Sequence, residues 1–498
     1  MKQLPFFDFL NRYQKDIHSL LIERPDIEDL NHLQGISSYY LNKIHTLNPL
    51  SVFIPEVYGG RGDNVKECLK FLEISSYESI AIGLMMGING SLFLEPVSKY
   101  GTEDAKKHVF KQFINHNQMG GLMITEPEFG TDALAMQTKY QVKENSFHIQ
   151  GTKHWGGLTG MADFWLVTAR QEKQNNKFGR DIDFFICEMG HPDQQIEVTE
   201  FFRKLGLFLI PYGTNKIDIK VPMINRLVPK KSGLKMMMDL LHRSRMRLSG
   251  IGIGFIKRML DEAMLHTRQR KIGGQPLLNY DQVQFRLNQL QAWFTVSSAM
   301  CRNSALISGT AQDLSGLGLM ANAMKAVLTD MMQDAAQSLL QLVGAKGFRR
   351  DHIAGRAIVD CRPFQIFEGS NDVMYFQVTD MVLNQMKKMK MNNLFKFIKS
   401  FDLTQLTADY FSKVLDFQVV PELKQRQKVI LGKVISRLIT LNQTLAMGHS
   451  GFNEKLIQNA VLINQHLISD LVSSFNNIKT NKTVENYLDN SDWLKSIS

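Results

Sequence analysis

Glu368, Gly369 and Ser370 stand together in the stretch Cys361–Thr379, CRPFQIFEGSNDVMYFQVT, directly after the mostly apolar run Phe364–Phe367. A carboxylate among apolar neighbours loses hydration, so its pKa rises and it becomes a better base near neutral pH. Gly369 lets the backbone pass close to a ligand. A Glu-Gly pair alone is most often a turn, so a catalytic reading needs support from elsewhere in the chain. ITEPEFGTD, Ile124–Asp132, groups Thr125, Gly130 and Thr131. Their hydroxyls and turn N–H groups can hold a phosphate or the edge of a heterocycle, and they equally suit a turn that caps a helix. GTKHWGG, Gly151–Gly157, puts Trp155 beside two glycines. The segment by itself reads as a core tryptophan, with stacking on a flat ligand as the alternative. GIGIG, Gly250–Gly254, has no preceding strand and falls in a helical pattern, so it reads as close helix packing and not as a dinucleotide loop. There is no HExxH, no ligand-spaced His pair and no nucleophile elbow, so neither a metal site nor a serine nucleophile is expected.

Three segments and a tail must position these residues. Residues 1–118 carry helical periodicity, clearest in Phe6–Leu21 and Cys68–Ser76, with Thr102 as an N-cap. The Pro- and Gly-rich loop Phe53–Asn64 reads as a helix–helix connection. Residues 119–235 change to short β-branched and aromatic runs, Ser146–Gln150, Asp163–Thr168, Asp183–Cys187, Ile196–Thr199 and Lys216–Val221, with no helical pattern between them. Residues 236–385 return to the helical period, with Val327, Leu328, Met331, Met332, Ala335, Ala336, Leu339, Leu340 and Val343 on one face. Residues 386–498 form a further helical extension, clearest in Val429–Leu445 and Leu456–Phe475. It begins with the basic, apolar-interleaved MKKMKMNNLFKFIKS, a solvated linker or else a peripheral membrane or partner contact.

The chain has 498 residues, 44% of them apolar, enough for a sizeable core. Its net charge of +10 suits a solvated surface or a polyanionic small ligand such as a nucleotide or a CoA derivative. No basic patch with stacking aromatics stands out, so nucleic acid is not an expected partner. The first twenty residues do not read as a signal peptide, and no run approaches the ~18 apolar residues of a membrane span. Cys68, Cys187, Cys301 and Cys361 have no CxxC spacing and read as reduced thiols of a cytoplasmic protein.

Taken in order, the motifs resemble the acyl-CoA dehydrogenase family from Phe53 to about Leu383. They are FIPEVYGGRG, KYGTEDAKKHVF, ITEPEFGTD, GTKHW, KLGL, IKVPMINRL, RQRKIGG, QLVGAKGF and QIFEGS. The resemblance implies a mainly α fold with a β middle domain: an N-terminal helical domain, a β-barrel-like middle domain and a C-terminal four-helix bundle. It implies FAD as cofactor and an acyl-CoA or acyl-carrier-protein thioester as substrate. An electron-transfer flavoprotein or another acceptor would re-oxidise the flavin, and a homodimer or homotetramer is implied. Glu368 matches the base that takes the Cα proton, while flavin N5 takes hydride from Cβ. Leu122, Ile124, Thr125, Gly130, Thr131, Trp155 and Gly157 match flavin contacts. Arg270, Gln282, Gln341 and Gly344 match positions reaching the adenine and phosphate end from a partner subunit, and Ser370 and Asp372 match contacts to the ADP part. Thr131, Arg245 and Gly369 match substrate contacts.

Several positions depart from the family pattern. Relatives that place the base on an earlier helix put it directly before the Arg that matches Arg245; here that residue is Ser244, which leaves Glu368 as the carboxylate. The hydroxyl residue two after the Trp, which bonds flavin N5, is Gly157. The aromatic of the RxxFG motif is Gly273, the second Gly of QxxGGxGF is Ala345, an Arg ahead of the base is Val359, and an Asp three before Arg245 is His242.

Overall fold

The computed structural model describes residues 4–24, 26–27, 34–173, 177–420, 422–479 and 482–497. Six helices come first: α1 (Phe6–Glu23), α2 (Ser38–Ile44), α3 (Val65–Glu78), α4 (Ile80–Gly87), α5 (Glu95–Tyr100) and α6 (Glu103–His116). A π-helical turn, Ile88–Leu94, joins α4 to α5 without a break. The middle segment is a curled sheet of β1 (Gly120–Met123), β2 (Lys139–Lys143), β3 (Ser146–His154), β4 (Phe164–Gln171), β5 (Asp183–Glu188), β6 (Glu197–Phe201) and β7 (Gly213–Pro222). The strand order is β1-β4-β2-β3-β7-β6, with β5 paired to β4. Helices then resume as α7 (Gly233–Gln269), α8 (Asp281–Ile307), α9 (Gly318–Val343), α10 (Ile353–Cys361) and α11 (Asn371–Lys388). The extension adds α12 (Leu394–Ser400), α13 (Ser412–Leu415), α14 (Gln425–Gly448) and α15 (Glu454–Asn476).

The 37-residue helix α7 is the spine of the molecule. GIGIG lies in its middle, as its helical setting predicts. A Cβ at Gly250 would meet the Leu69 carbonyl at 2.8 Å, and one at Gly254 would overlap the Glu73 carbonyl. These small residues let α3 and α7 approach backbone to backbone. The same stripe of α7, toward its N-terminus, buries charge. Arg247 Nε donates to Glu95 Oε1 at 2.8 Å, and Arg243 reaches the carbonyls of Ser308, Gly309 and Gln312. Asp239, also buried, accepts from Lys99 Nζ and from the Tyr100 hydroxyl, both at 2.9 Å. Together these bonds fix α5 and the α8–α9 loop to α7.

Three expectations need correction or completion. Contrary to the expectation of no membrane-length apolar run, Ile80–Tyr100 is a continuous helix long and apolar enough to cross a membrane, with Asn89, Ser91 and Glu95 scattered through it. Nearly all of it is buried, so it is the central helix of the N-terminal segment. Most apolar residues of the basic stretch after Met386 also face inward, Met389 excepted. Leu394, Phe397 and Ile398 are fully buried with residues of α11, α13 and α14, which leaves the lysines, not an apolar face, toward water. Finally, the Pro- and Gly-rich loop Phe53–Asn64 does more than connect helices, because it delivers Asp63 to a buried cluster. Ligand-type atoms of Asp63, Cys68 and Glu95 lie within 4.8 Å of one another.

In that cluster Asp63 Oδ1 and Glu95 Oε2 are both buried acceptors without a partner among the described residues. A proton retained on Asp63 supplies the missing donor between two carboxyl groups. Burial, with Glu95 opposite, pushes the Asp63 carboxyl up from 3.8 to about 7. A carboxyl raised in the folded state stabilises the protein below its unfolded pKa, and that contribution is lost as pH rises through the folded value. Wild-type Tm should therefore fall between about pH 4 and about pH 7 by an amount that Asp63→Asn abolishes, measured by thermal denaturation across that range.

Candidate active site

Glu368 lies in the short link between α10 and α11. Its φ is +53° and that of Gly369 is +92°. A glutamate in the left-handed region costs on the order of 1–2 kcal/mol and persists only where its surroundings hold it. Two buried cations do so. Arg245 donates to the Glu368 carbonyl through Nη2 at 2.7 Å and Nε at 3.2 Å. Lys325, from α9, donates to the Gly369 carbonyl at 2.8 Å and to Asn371 Oδ1 at 2.9 Å. The third Arg245 nitrogen donates to Asn322 Oδ1 at 2.6 Å. Two consecutive carbonyls of the turn are thus held from two different helices.

The side chain of Glu368 is asymmetric. Ser244 Oγ donates to Oε1 at 2.7 Å, while Oε2 is buried and has no partner among the described residues. Burial raises the pKa of this carboxyl; the Ser244 hydrogen bond, Arg245 and Lys325 pull the other way. The ordering of these effects leaves a carboxylate more basic than an exposed glutamate, with one oxygen anchored and one available to accept a proton. Burial also lowers the Lys325 ammonium to about 7, against the attraction of Glu368.

The second half of the site hangs on the sheet. Lys153, fully buried in β3, donates to Glu126 Oε1, to the Ile124 carbonyl and to Thr168 Oγ1, each at 3.0 Å. Glu126 in turn accepts from the backbone N–H groups of Gln137 and Thr138. One ion pair therefore shapes the loop that presents Thr125, Gly130 and Thr131. A Cβ at Gly130 would lie 3.9 Å from Thr125 Cγ2, so these residues face one another across the turn. Leu122 and Ile124 are half-buried at the end of β1. Ile88, at the start of the π-helical turn, closes the site near Gly157, and Asn89 Oδ1 accepts from Gly120 N–H at 2.7 Å.

Trp155 corrects the reading of its own segment. It is not core: it is 53% exposed, with φ +57°. Phe202 lies at 4.5 Å and Tyr212 at 6.0 Å from it, ring centroid to centroid, which fixes the ring while leaving much of it open. Neither Thr125 nor Thr131 has a side-chain hydrogen bond among the described residues. An open indole and free hydroxyls on one rim, with an unpartnered carboxylate oxygen on α11's side, suit a flat polar ligand such as a flavin.

Other candidate residues fall into two groups. Arg245, expected at the substrate, is spent on the backbone of the base. Ser370 is the N-cap of α11 and Asp372 stands exposed in its first turn. Arg270, Gln282, Gln341 and Gly344 are all exposed at the far end of the helices. Gln341 lies sixteen residues beyond Lys325 on α9, about 24 Å along the axis, so these residues do not reach Glu368 of their own chain. His242 is buried, and its Nδ1 donates to the Leu314 carbonyl at 2.8 Å. Lys325 was not singled out in the sequence, because one lysine in a Met-rich helix carries no local signal of its contacts. A cavity of about 190 Å³ lined by His18, Glu78, Arg258, Arg356 and Asp360 lies away from every one of these candidates.

Three family models match the chain in order: the acyl-CoA dehydrogenase N-terminal domain at residues 24–117, the middle domain at 121–218 and the C-terminal domain at 231–383. The chain belongs to the acyl-CoA dehydrogenase family. It is accordingly an oxidoreductase with that family's three-part fold. It is 25% identical to an acyl-CoA dehydrogenase of Bacillus subtilis over 343 residues, covering 67% of this chain and 86% of that protein. It is 24% identical to a short-chain specific acyl-CoA dehydrogenase of Megasphaera elsdenii over 357 residues, covering 70% and 91%. The solved structure of an acyl-CoA dehydrogenase complexed with FAD from Bacillus anthracis superposes with a TM-score of 0.77 at 17% identity. That match covers 94% of this chain and 87% of the other, so the fold it shares includes most of the extension.

Two predictions follow from this geometry. Ser244→Ala removes a hydrogen bond to the ionised base, worth about 1.5 kcal/mol, and should move the acid limb of the kcat/KM profile up by about one pH unit. Lys153→Met leaves Glu126 buried and uncompensated. Denaturant titration should register a loss of roughly 3–5 kcal/mol, together with weaker flavin uptake.

Proposed function

We propose that the chain catalyses FAD-dependent α,β-dehydrogenation of an acyl thioester, with Glu368 as the base. The observation that carries this reading is the Glu368 carboxyl itself. One oxygen is anchored by Ser244, the other is buried and open, and the backbone beneath is clamped by Arg245 and Lys325. Its raised basicity suits removal of a proton from the carbon next to a thioester carbonyl. FAD is the cofactor; when bound it supplies the hydride acceptor for the Cβ hydrogen, and the product is a trans-2-enoyl thioester. Thr125, Thr131 and Trp155 would hold its ring system. Arg270, Gln282, Gln341 and Gly344 would serve the adenine end of a second copy's cofactor, since they lie too far from their own site.

The buried, hydrogen-bonded His242 favours a second arm of the same reading. It stands where relatives carry an aspartate and brings no carboxylate to an entering CoA, which supports a carrier-protein-bound thioester as substrate. An electron-transfer flavoprotein or another acceptor would return the flavin to its oxidised form.

The test is anaerobic bleaching of the bound flavin by a panel of acyl-CoA and acyl-carrier thioesters. Wild-type protein should bleach with at least one of them. Glu368→Gln should keep its FAD and its Tm while bleaching about 10²–10⁴-fold more slowly. Equal rates for the two proteins would remove Glu368 from the reaction.

A further inference from the structure

Position 157 has no side chain, and the space beside it is filled from the other side of the site. A Cβ at Gly157 would lie 3.5 Å from Tyr212 Cε1, 3.6 Å from the Tyr212 hydroxyl oxygen and 2.8 Å from Ile88 Cδ1. The backbone pins Tyr212 there from both flanks. Trp155 N–H donates to the Gly213 carbonyl at 3.0 Å, and the N–H groups of Leu158 and Thr159 donate to the Pro211 carbonyl at 2.9 and 3.2 Å. The Tyr212 ring is further held between Trp155 and the Lys204 ammonium, which sits 5.8 Å from its centroid. The side chain is half-buried, yet its hydroxyl makes no hydrogen bond among the described residues. The hydroxyl is open to the site and bound to no protein group, so it is free to donate to a ligand seated there. Burial pushes its pKa well above the usual tyrosine value, so it remains a protonated donor.

We propose that Tyr212 is a cofactor-binding residue whose hydroxyl donates to the edge of the flavin ring system beside Trp155, in the place left open by Gly157. This rests on the flavin reading above. Gly157 and Tyr212 then form one device: position 157 offers no hydroxyl of its own, and a donor arrives beside it from the β6–β7 connection. A donor at a flavin ring nitrogen draws electron density from the ring and favours addition of a nucleophile there.

The test uses sulfite, which adds to the flavin ring without any acyl substrate. Wild-type protein, Tyr212→Phe and the double variant Tyr212→Phe/Gly157→Ser are compared for FAD content, Tm, visible spectrum and sulfite dissociation constant. Tyr212→Phe should bind one FAD per chain and keep its Tm, while its sulfite affinity falls about three- to tenfold, the worth of one hydrogen bond. The double variant should recover part of that loss, because the added Cβ overlaps the flexible end of Ile88 alone and stands at ordinary van der Waals distance from the ring at 212. A Tyr212→Phe protein with full FAD, an unchanged spectrum and unchanged sulfite affinity would overturn the proposal and leave the flavin reading intact, pointing instead to a backbone N–H as donor. Wild-type protein that takes up no FAD would overturn both.

Discussion

Two backbone carbonyls, those of Glu368 and Gly369, are each gripped by a buried cation, and the rest of the active site is arranged around that fact. The turn that aims the carboxylate is conformationally unfavourable for a glutamate. Arg245 from α7 and Lys325 from α9 compensate for it with charge-assisted bonds in a water-poor setting, where such bonds are strongest. The same two cations also set the chemistry. They sit close enough to keep the carboxylate ionisable despite its burial, but neither bonds to its oxygens. The base is therefore positioned through its main chain while its side chain stays free to take a proton.

The sheet contributes through a parallel arrangement. Lys153 and Glu126 form one buried pair whose remaining bonds go to loop backbone, so the ITEPEFGTD loop is shaped by charge and not by apolar packing. The two halves are tied together by a narrow contact: Leu207 N–H donates to Asp360 Oδ1 at 2.6 Å, and Gly206 fits against the backbone of Val359. The expected arginine at position 359 would need room for a long charged side chain beside this contact. The base and the aromatic rim are thus joined directly where the β6–β7 connection meets the end of α10.

The fold was legible because its signals are local and repeated. The switch from period 3.6 to short β runs and back again marks the β segment, and the motif order marks the family. Glu368 was legible as the carboxylate left once Ser244 had been read at the alternative position. Trp155 was misread from its own segment because glycine neighbours do not reveal what covers a ring; that depends on Phe202 and Tyr212, nearly fifty residues or more away. Lys325 and the Asp63–Glu95 pair were missed for the same physical reason. A buried charge is defined by its partners, and those partners come from distant helices. The Ile80–Tyr100 helix was not legible as one apolar run because Asn89, Ser91 and Glu95 interrupt it without lowering its overall hydropathy enough to matter.

The extension bears on α11, the helix that begins three residues after the base. Gly432 of α14 fits against the backbone of Tyr375, Thr379 donates to the Lys428 carbonyl at 2.6 Å, and Lys428 pairs with Asp380 at 2.7 Å. Val378, Val382 and Met386 are buried beneath residues of α12 and α14. A chain ending near residue 385 would thus not be a trimmed enzyme. It would carry a raw apolar strip along the helix that follows its base, and insolubility, before any kinetic defect, would be the first sign of what the last hundred residues cover.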